Sequence, residues 1–116
     1  MTGRSATDAQ RAAEREREVL AVLMALREGE VTTYGDVAEV AGHPRQARLV
    51  GRILATTDVE VPWWRVVNVS GRIVSGHLDE QRDLLRSEGV TVVAGRVLDA
   101  PIGRFSRRSS GQSPGP

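Results

Sequence analysis

A chain of 116 residues fills one compact domain, because a second hydrophobic core would have too few residues to close. Hydrophobic residues make up 40% and charged residues 27%, and no apolar run approaches the roughly 18 residues of a membrane span, so a transmembrane protein is excluded. The chain has no cysteine, which excludes disulfides, thiol nucleophiles and cysteine metal sites, and with only His43 and His77 neither a metal nor another cofactor is expected. Met1 to Gln10 carry Arg4 and Asp8 but no apolar run, so no secretory leader is expected and the protein is placed in the cytoplasm.

The net charge of +1 hides an uneven distribution. Residues 1–42 carry −3, 43–72 carry +3, 73–103 carry −2 and 104–116 carry +3, and every basic residue is arginine. A basic middle segment in an otherwise acidic fold is what a small phosphate-facing surface produces, although arginine in place of lysine also follows from a GC-rich genome.

Residues 1–10 and 104–116 lack apolar periodicity and read as disordered tails, the second one basic, leaving a domain over 11–103. From Ala13 to Leu26 the apolar residues Val19, Val22, Leu23 and Leu26 recur at helical spacing, and Gly29 stops the helix. A short helix over Gly35–Ala41 follows, capped by Thr or Gly and ended by Gly42-His43-Pro44. A third helix is expected over Arg45–Thr56. Its stripe of Ala47, Val50, Gly51 and Leu54 would pack on the second helix, while Arg45, Arg48, Leu49 and Arg52 form a nearly opposite stripe that presents guanidinium groups.

Two short helices joined at a Gly-x-Pro turn, the second one basic, predict a helix-turn-helix; the alternative is a helical pair whose arginines are merely solvated. After Val59–Arg65, the segment Val66–Val69, Ser70-Gly71 and Arg72–Val74 reads as strand, turn and strand, the wing of a winged helix. A helix over Asp79–Glu88, with Leu84 and Leu85 inward and Gly89 as its stop, precedes a short strand over Val90–Val93. The expected class is therefore mainly α with a small β-hairpin, a winged helix-turn-helix DNA-binding domain.

Four blocks carry a more specific signal: Gly29–Ala38, Pro44–Gly51, Val61–Val67 and Leu84–Gly89. In order and spacing they resemble the C-terminal domain of O6-alkylguanine-DNA alkyltransferases over about residues 15–90. In active members of that family the third block reads Pro-Cys-His-Arg, the Cys accepting the alkyl group and the His, through water and a Glu, generating the thiolate. Here Trp63 and Trp64 stand at those two positions. An indole is neither thiolate nor base at neutral pH, so alkyl transfer to the protein is not available. The Pro-Trp replacement resembles the alkyltransferase-like proteins, which bind alkylated guanine in DNA without repairing it and pass the lesion to nucleotide excision repair.

The resemblance implies roles residue by residue. Tyr34 matches the tyrosine that presses on the target phosphate so that the base rotates outward, a position where a packing tyrosine is the alternative. Arg48 matches the arginine finger that fills the gap left by the flipped base, stacking on its neighbours. Ala47 and Gly51 would let the helix approach the minor groove, with Arg45 and Arg52 on phosphates. The alkylguanine pocket would comprise Pro62, Trp63, Trp64 and Val66, with His77 or Arg72 as possible contacts, although the loop Ser75–Leu78 does not match the glycine-rich lid of active enzymes. Two adjacent tryptophans can also be plain core residues. Glu88 matches the relay Glu, but beside Trp64 it is expected only to end a helix, and the hinge asparagine falls near Thr57 in a loop about two residues shorter.

These readings converge on a monomeric, non-catalytic sensor of O6-alkylguanine in duplex DNA, partnered by nucleotide excision repair proteins and by no membrane. The alternatives are a winged-helix transcription regulator reading sequence through Arg45, Arg48 and Arg52, and a protein-interaction module without DNA affinity.

Overall fold

The computed structural model describes residues 3–107. Helix α1 spans Gly3–Met24, strand β1 Glu30–Thr33, helix α2 Tyr34–Val40 and helix α3 Ala47–Thr56. A single 3-10 turn over Trp63–Arg65 leads into strand β2, Val66–Val67. Helix α4, Leu78–Ser87, and the strands β3, Thr91–Val93, β4, Arg96–Asp99, and β5, Ile102–Gly103, complete the chain. The fold is mainly helical with small sheets. Among the described residues no helix is long and apolar enough to cross a membrane.

A thin parallel sheet of order β2-β1-β5 divides two cores. Thr32 pairs with Val66 and Thr33 with Val67 on one side of β1, and Glu30 pairs with Ile102 and Val31 with Gly103 on the other. Successive strand residues point to opposite faces, so fully buried Val66 joins Val19, Leu23, Val37, Val50 and Ile53 in the first core. Its neighbour Val67 joins Val31, Leu85, Val92 and Val97 in the second. Two helices have features that favour their ends. Thr33 caps α2 by accepting the Asp36 N–H at 3.0 Å, and α4 carries Asp79 and Glu80 in its first turn and Arg86 in its last, each sign complementing the helix dipole.

Both expected tails are revised. Helix α1 begins at Gly3, so residues 3–10 are not a structureless tail. Residues 7–14 are exposed on all sides, and apolar periodicity detects packing rather than helicity. Good helix formers such as Ala, Gln, Arg and Glu extend the turn nucleated by buried Val19 and Leu23. At the other end the Arg104 guanidinium donates to both carboxylate oxygens of Asp36, at 2.9 and 2.8 Å, Phe105 packs on the second core and Ser106 is buried. The Arg107 N–H donates to Asp99 at 2.9 Å. A single packed aromatic leaves no periodic trace. The rest of the expected basic tail, 108–116, lies outside the described residues.

The hairpin expected over residues 66–74 is also corrected. Val66 and Val67 pair in parallel with β1, and Asn68 closes a tight turn by donating its N–H to the Arg72 carbonyl at 3.0 Å while its side chain accepts the Ser70 and Arg72 N–H groups. Gly71 is required there: φ is +84°, and a Cβ would stand 2.9 Å from the Val97 carbonyl oxygen. The antiparallel hairpin is β3–β4, turned by Ala94 and Gly95 with φ of 51° and 74°, the pair of positive values that a two-residue turn matched to strand twist requires. The strand expected over Val90–Val93 is its first arm.

Candidate nucleic-acid interface

Helix α3 starts at Ala47, two residues later than the sequence predicts, because Arg45 is held in the left-handed region at φ 67° and belongs to the turn. The face it buries is also rotated from the expected one. Val50 and Ile53 are buried, with Leu49 and Leu54 packed beside them. Ala47, Arg48 and Gly51 are turned outward, and a Cβ on Gly51 would meet nothing within 4 Å. The expected stripe placed Ala47 and Gly51 against α2, but larger side chains one position away have more apolar surface to remove from water, and they decide the rotation.

That rotation builds a cavity of about 780 Å³ bounded by α2, α3, the 3-10 turn and the loop before α4. Tyr34, Ala47, Arg48, Gly51, Leu54, Ala55, Trp63, Val74, Ser75, His77 and Glu80 line it. Tyr34 is the first residue of α2, so the Thr33 cap fixes its position. Burial pushes its phenol above the ordinary value, keeping it neutral. Arg48 is exposed at the cavity and has no hydrogen bond or ion pair among the described residues; the Arg45 and Arg52 side chains are likewise exposed and unpaired.

The two tryptophans pack on different cores. Trp63 lines the cavity and packs on the first core, its ring 5.9 Å from that of His77 at an interplanar angle of 65°. Trp64 packs on the second core and meets Trp63 edge-on, with ring centroids 6.0 Å apart. A 3-10 turn rotates successive side chains by about 120°, which turns the two indoles toward different cores. Of the four residues expected in the pocket, only Trp63 lines this cavity. Pro62 and Trp64 face a second one of about 680 Å³, which Trp63 also borders, and Val66 is wholly buried. Arg72 is exposed and pairs across to Arg96, away from the cavity, whereas His77 lies on its wall.

Glu88, expected only to end a helix, does end α4 but is also the main polar junction of the fold. It accepts Trp64 Nε1–H at 2.9 Å, the Gly29 N–H at 2.9 Å, Arg65 Nε–H at 2.9 Å and Arg65 Nη2–H at 2.7 Å. Arg65 also donates Nη1–H to the Leu26 carbonyl at 2.8 Å and lies 5.2 Å over the Trp64 ring. Burial by itself would raise the Glu88 carboxyl, but the hydrogen bonds from Arg65, Gly29 and Trp64, with the arginine charge, hold it below the ordinary carboxylate range. Gln81 completes the support. Fully buried, it donates Nε2–H to the Trp64 and Val66 carbonyls at 2.9 and 3.0 Å and so pins the segment carrying Trp63. Sequence reasoning missed Arg65 and Gln81; the one available signal is that Gln81 lies four residues before buried Leu85, on the same helix face. Among the described residues no group of three His, Cys, Asp or Glu side chains could hold a metal ion.

The sequence profile of the 6-O-methylguanine DNA methyltransferase DNA-binding domain matches residues 14–90, and the chain belongs to that family. Among its relatives is the DNA base-flipping protein of Escherichia coli, 44% identical over 87 residues, which span 72% of this chain and 67% of that one. The fold is similar to that of S. pombe Atl1 in complex with damaged DNA containing O6-carboxymethylguanine, with a TM-score of 0.63 and 33% identity over 70% of this chain and 81% of that one. It is also similar to Mycobacterium tuberculosis OGT in complex with DNA, with a TM-score of 0.57 and 31% identity over 63% of this chain and 48% of that one.

Proposed function

We propose that this protein is a non-catalytic sensor that binds O6-alkylguanine in duplex DNA by flipping the nucleotide into the cavity walled by Trp63, and that it marks the lesion for nucleotide excision repair. The observation that carries the reading is the meeting of Tyr34, Arg48 and Trp63 around one cavity, with the Arg48 guanidinium unpaired among the described residues, in a chain without a cysteine. In this reading α2 and α3 act as a helix-turn-helix whose open face, Ala47 and Gly51, lies against the minor groove. Tyr34 presses on the target phosphate, Arg48 occupies the vacated stack, and Arg45 and Arg52 contact phosphates.

Flipping costs a few kcal/mol and least for a weakly paired base, so an O6-alkylated guanine is favoured before it makes any pocket contact. Trp63 then supplies an apolar wall for the alkyl group. No thiolate exists to accept that group, so the bound state persists and a separate excision system has to remove the lesion. Competition binding between matched duplexes carrying O6-methylguanine or guanine tests the reading. The methylated duplex is expected to bind more tightly and to keep its methyl group after prolonged incubation. Equal affinity overturns the sensor, and methylated protein in the mass spectrum overturns its non-catalytic character.

A further inference from the structure

The cavity has one imidazole on its wall. The titratable groups that line it include Tyr34 on α2, kept neutral by burial, Arg48 on α3 and Glu80 on α4. The fourth is His77, in the loop that enters α4. Its backbone is fixed at both ends: the N–H donates to Ser75 Oγ at 3.1 Å, and the carbonyl accepts the Gln81 N–H at 2.9 Å. The imidazole does not cap the helix it precedes. It stands 5.9 Å from the Trp63 ring, and neither ring nitrogen has a hydrogen-bond partner among the described residues. His43, the other histidine, is elsewhere, held at 2.7 Å by Glu18 of α1.

Resting on the sensor reading, we propose that His77 makes the cavity selective for charge: when protonated it favours O6 substituents that end in an anion, such as a carboxylate, over neutral alkyl groups. The proposal follows from three features. The half-buried Trp63 indole covers one side of the imidazole, and neither ring nitrogen is engaged among the described residues. Glu80 is the only carboxylate among the lining residues, so with His77 neutral the side of the cavity formed by the α4 entry repels an anionic substituent. With His77 charged, that repulsion is offset and a charge-assisted hydrogen bond becomes available. A neutral methyl group senses neither change.

The test measures affinities for three duplexes identical except for guanine, O6-methylguanine or O6-carboxymethylguanine at the target position, at about pH 8 and about pH 5.5 and constant ionic strength. Over that range an imidazole gains its proton while a carboxylate stays ionised. The ratio of carboxymethyl to methyl affinity is expected to rise about three- to tenfold on acidification, the scale of one partly solvated charge pair. Contributions from the phosphate backbone and from His43 cancel in that ratio. His77→Gln should abolish the rise, and His77→Arg should give the high ratio at both pH values, a result that a merely structural histidine would not produce. Glu80→Gln should raise the ratio at both. Lesion binding with a pH-independent ratio, or a rise that survives in His77→Gln, overturns the inference alone. If neither lesion outcompetes guanine, the sensor reading falls and this inference with it.

Discussion

Arg48 and Arg65 belong to two regions that meet at Trp63 and use the same side chain in opposite ways. Arg65, only 13% exposed, spends its donors on Glu88 and the Leu26 carbonyl, stitching α4, the α1–β1 turn and the tryptophan segment together. Arg48 lies open at a cavity with no partner among the described residues. A guanidinium satisfied inside the protein stabilises a fold, and its removal strands the groups it paired. One left unsatisfied beside a cavity stabilises little and is available to an external anion or aromatic face. The difference separates an arginine consumed by the fold from one left open at the cavity.

The largest effect is expected at the junction. Glu88→Ala should lower folding stability by about 3–5 kcal/mol in urea denaturation, because it leaves the Arg65 charge and two N–H groups without their acceptor. A loss no larger than that of a surface carboxylate would break the comparison. The same group makes an acid signature. Its folded-state carboxyl is lowered, so its contribution is complete above the unfolded value of about 4.3 and disappears as pH falls through the folded value. Stability should therefore drop more steeply below about pH 4 in the parent than in Glu88→Gln.

Arg48→Ala should reverse the pattern. Affinity for an O6-methylguanine duplex is expected to fall by about 1–3 kcal/mol, roughly 5- to 150-fold, while the urea midpoint stays within error of the parent. A matching loss of stability would place Arg48 in the structural class instead. Trp64→Phe keeps the packing but removes the indole donor to Glu88. It should cost about 1 kcal/mol of stability and less lesion affinity than Arg48→Ala, sharpening the separation of Trp64 from the Trp63 cavity. The smallest effect is expected for Arg104→Ala. Its pair with Asp36 is 44% and 34% exposed, so thermal unfolding should report less than about 1 kcal/mol.

Part of the candidate site was legible before the structure. The helical positions of α2, α3 and α4 follow from apolar spacing and caps, and Tyr34, Arg48 and Trp63, taken from ordered blocks of sequence, do converge on one cavity. The misreadings share a cause. Apolar stripes on a ten-residue helix left two rotations open, and Ala and Gly were credited with a packing role that Leu49 and Ile53 fill. Trp64 and Val66 were grouped with Trp63 by adjacency, although a 3-10 turn and a strand send neighbouring side chains to different faces. Ser70-Gly71 correctly marked a turn, but not which strands it would join.

The sequence by itself determined the chemistry that is absent and a few local features: no thiol, a short second helix capped by Thr or Gly, and a basic middle segment. These are properties of composition and of residues a few positions apart. Tertiary structure decided which tryptophan walls the cavity, which arginine is consumed and what Glu88 does. Glu88 reaches partners 59, 24 and 23 positions away, and Gln81 reaches back 17 and 15. Local spacing carries no record of such bonds. They form only when packing brings distant segments out of water, where leaving a buried donor or acceptor unpaired costs free energy.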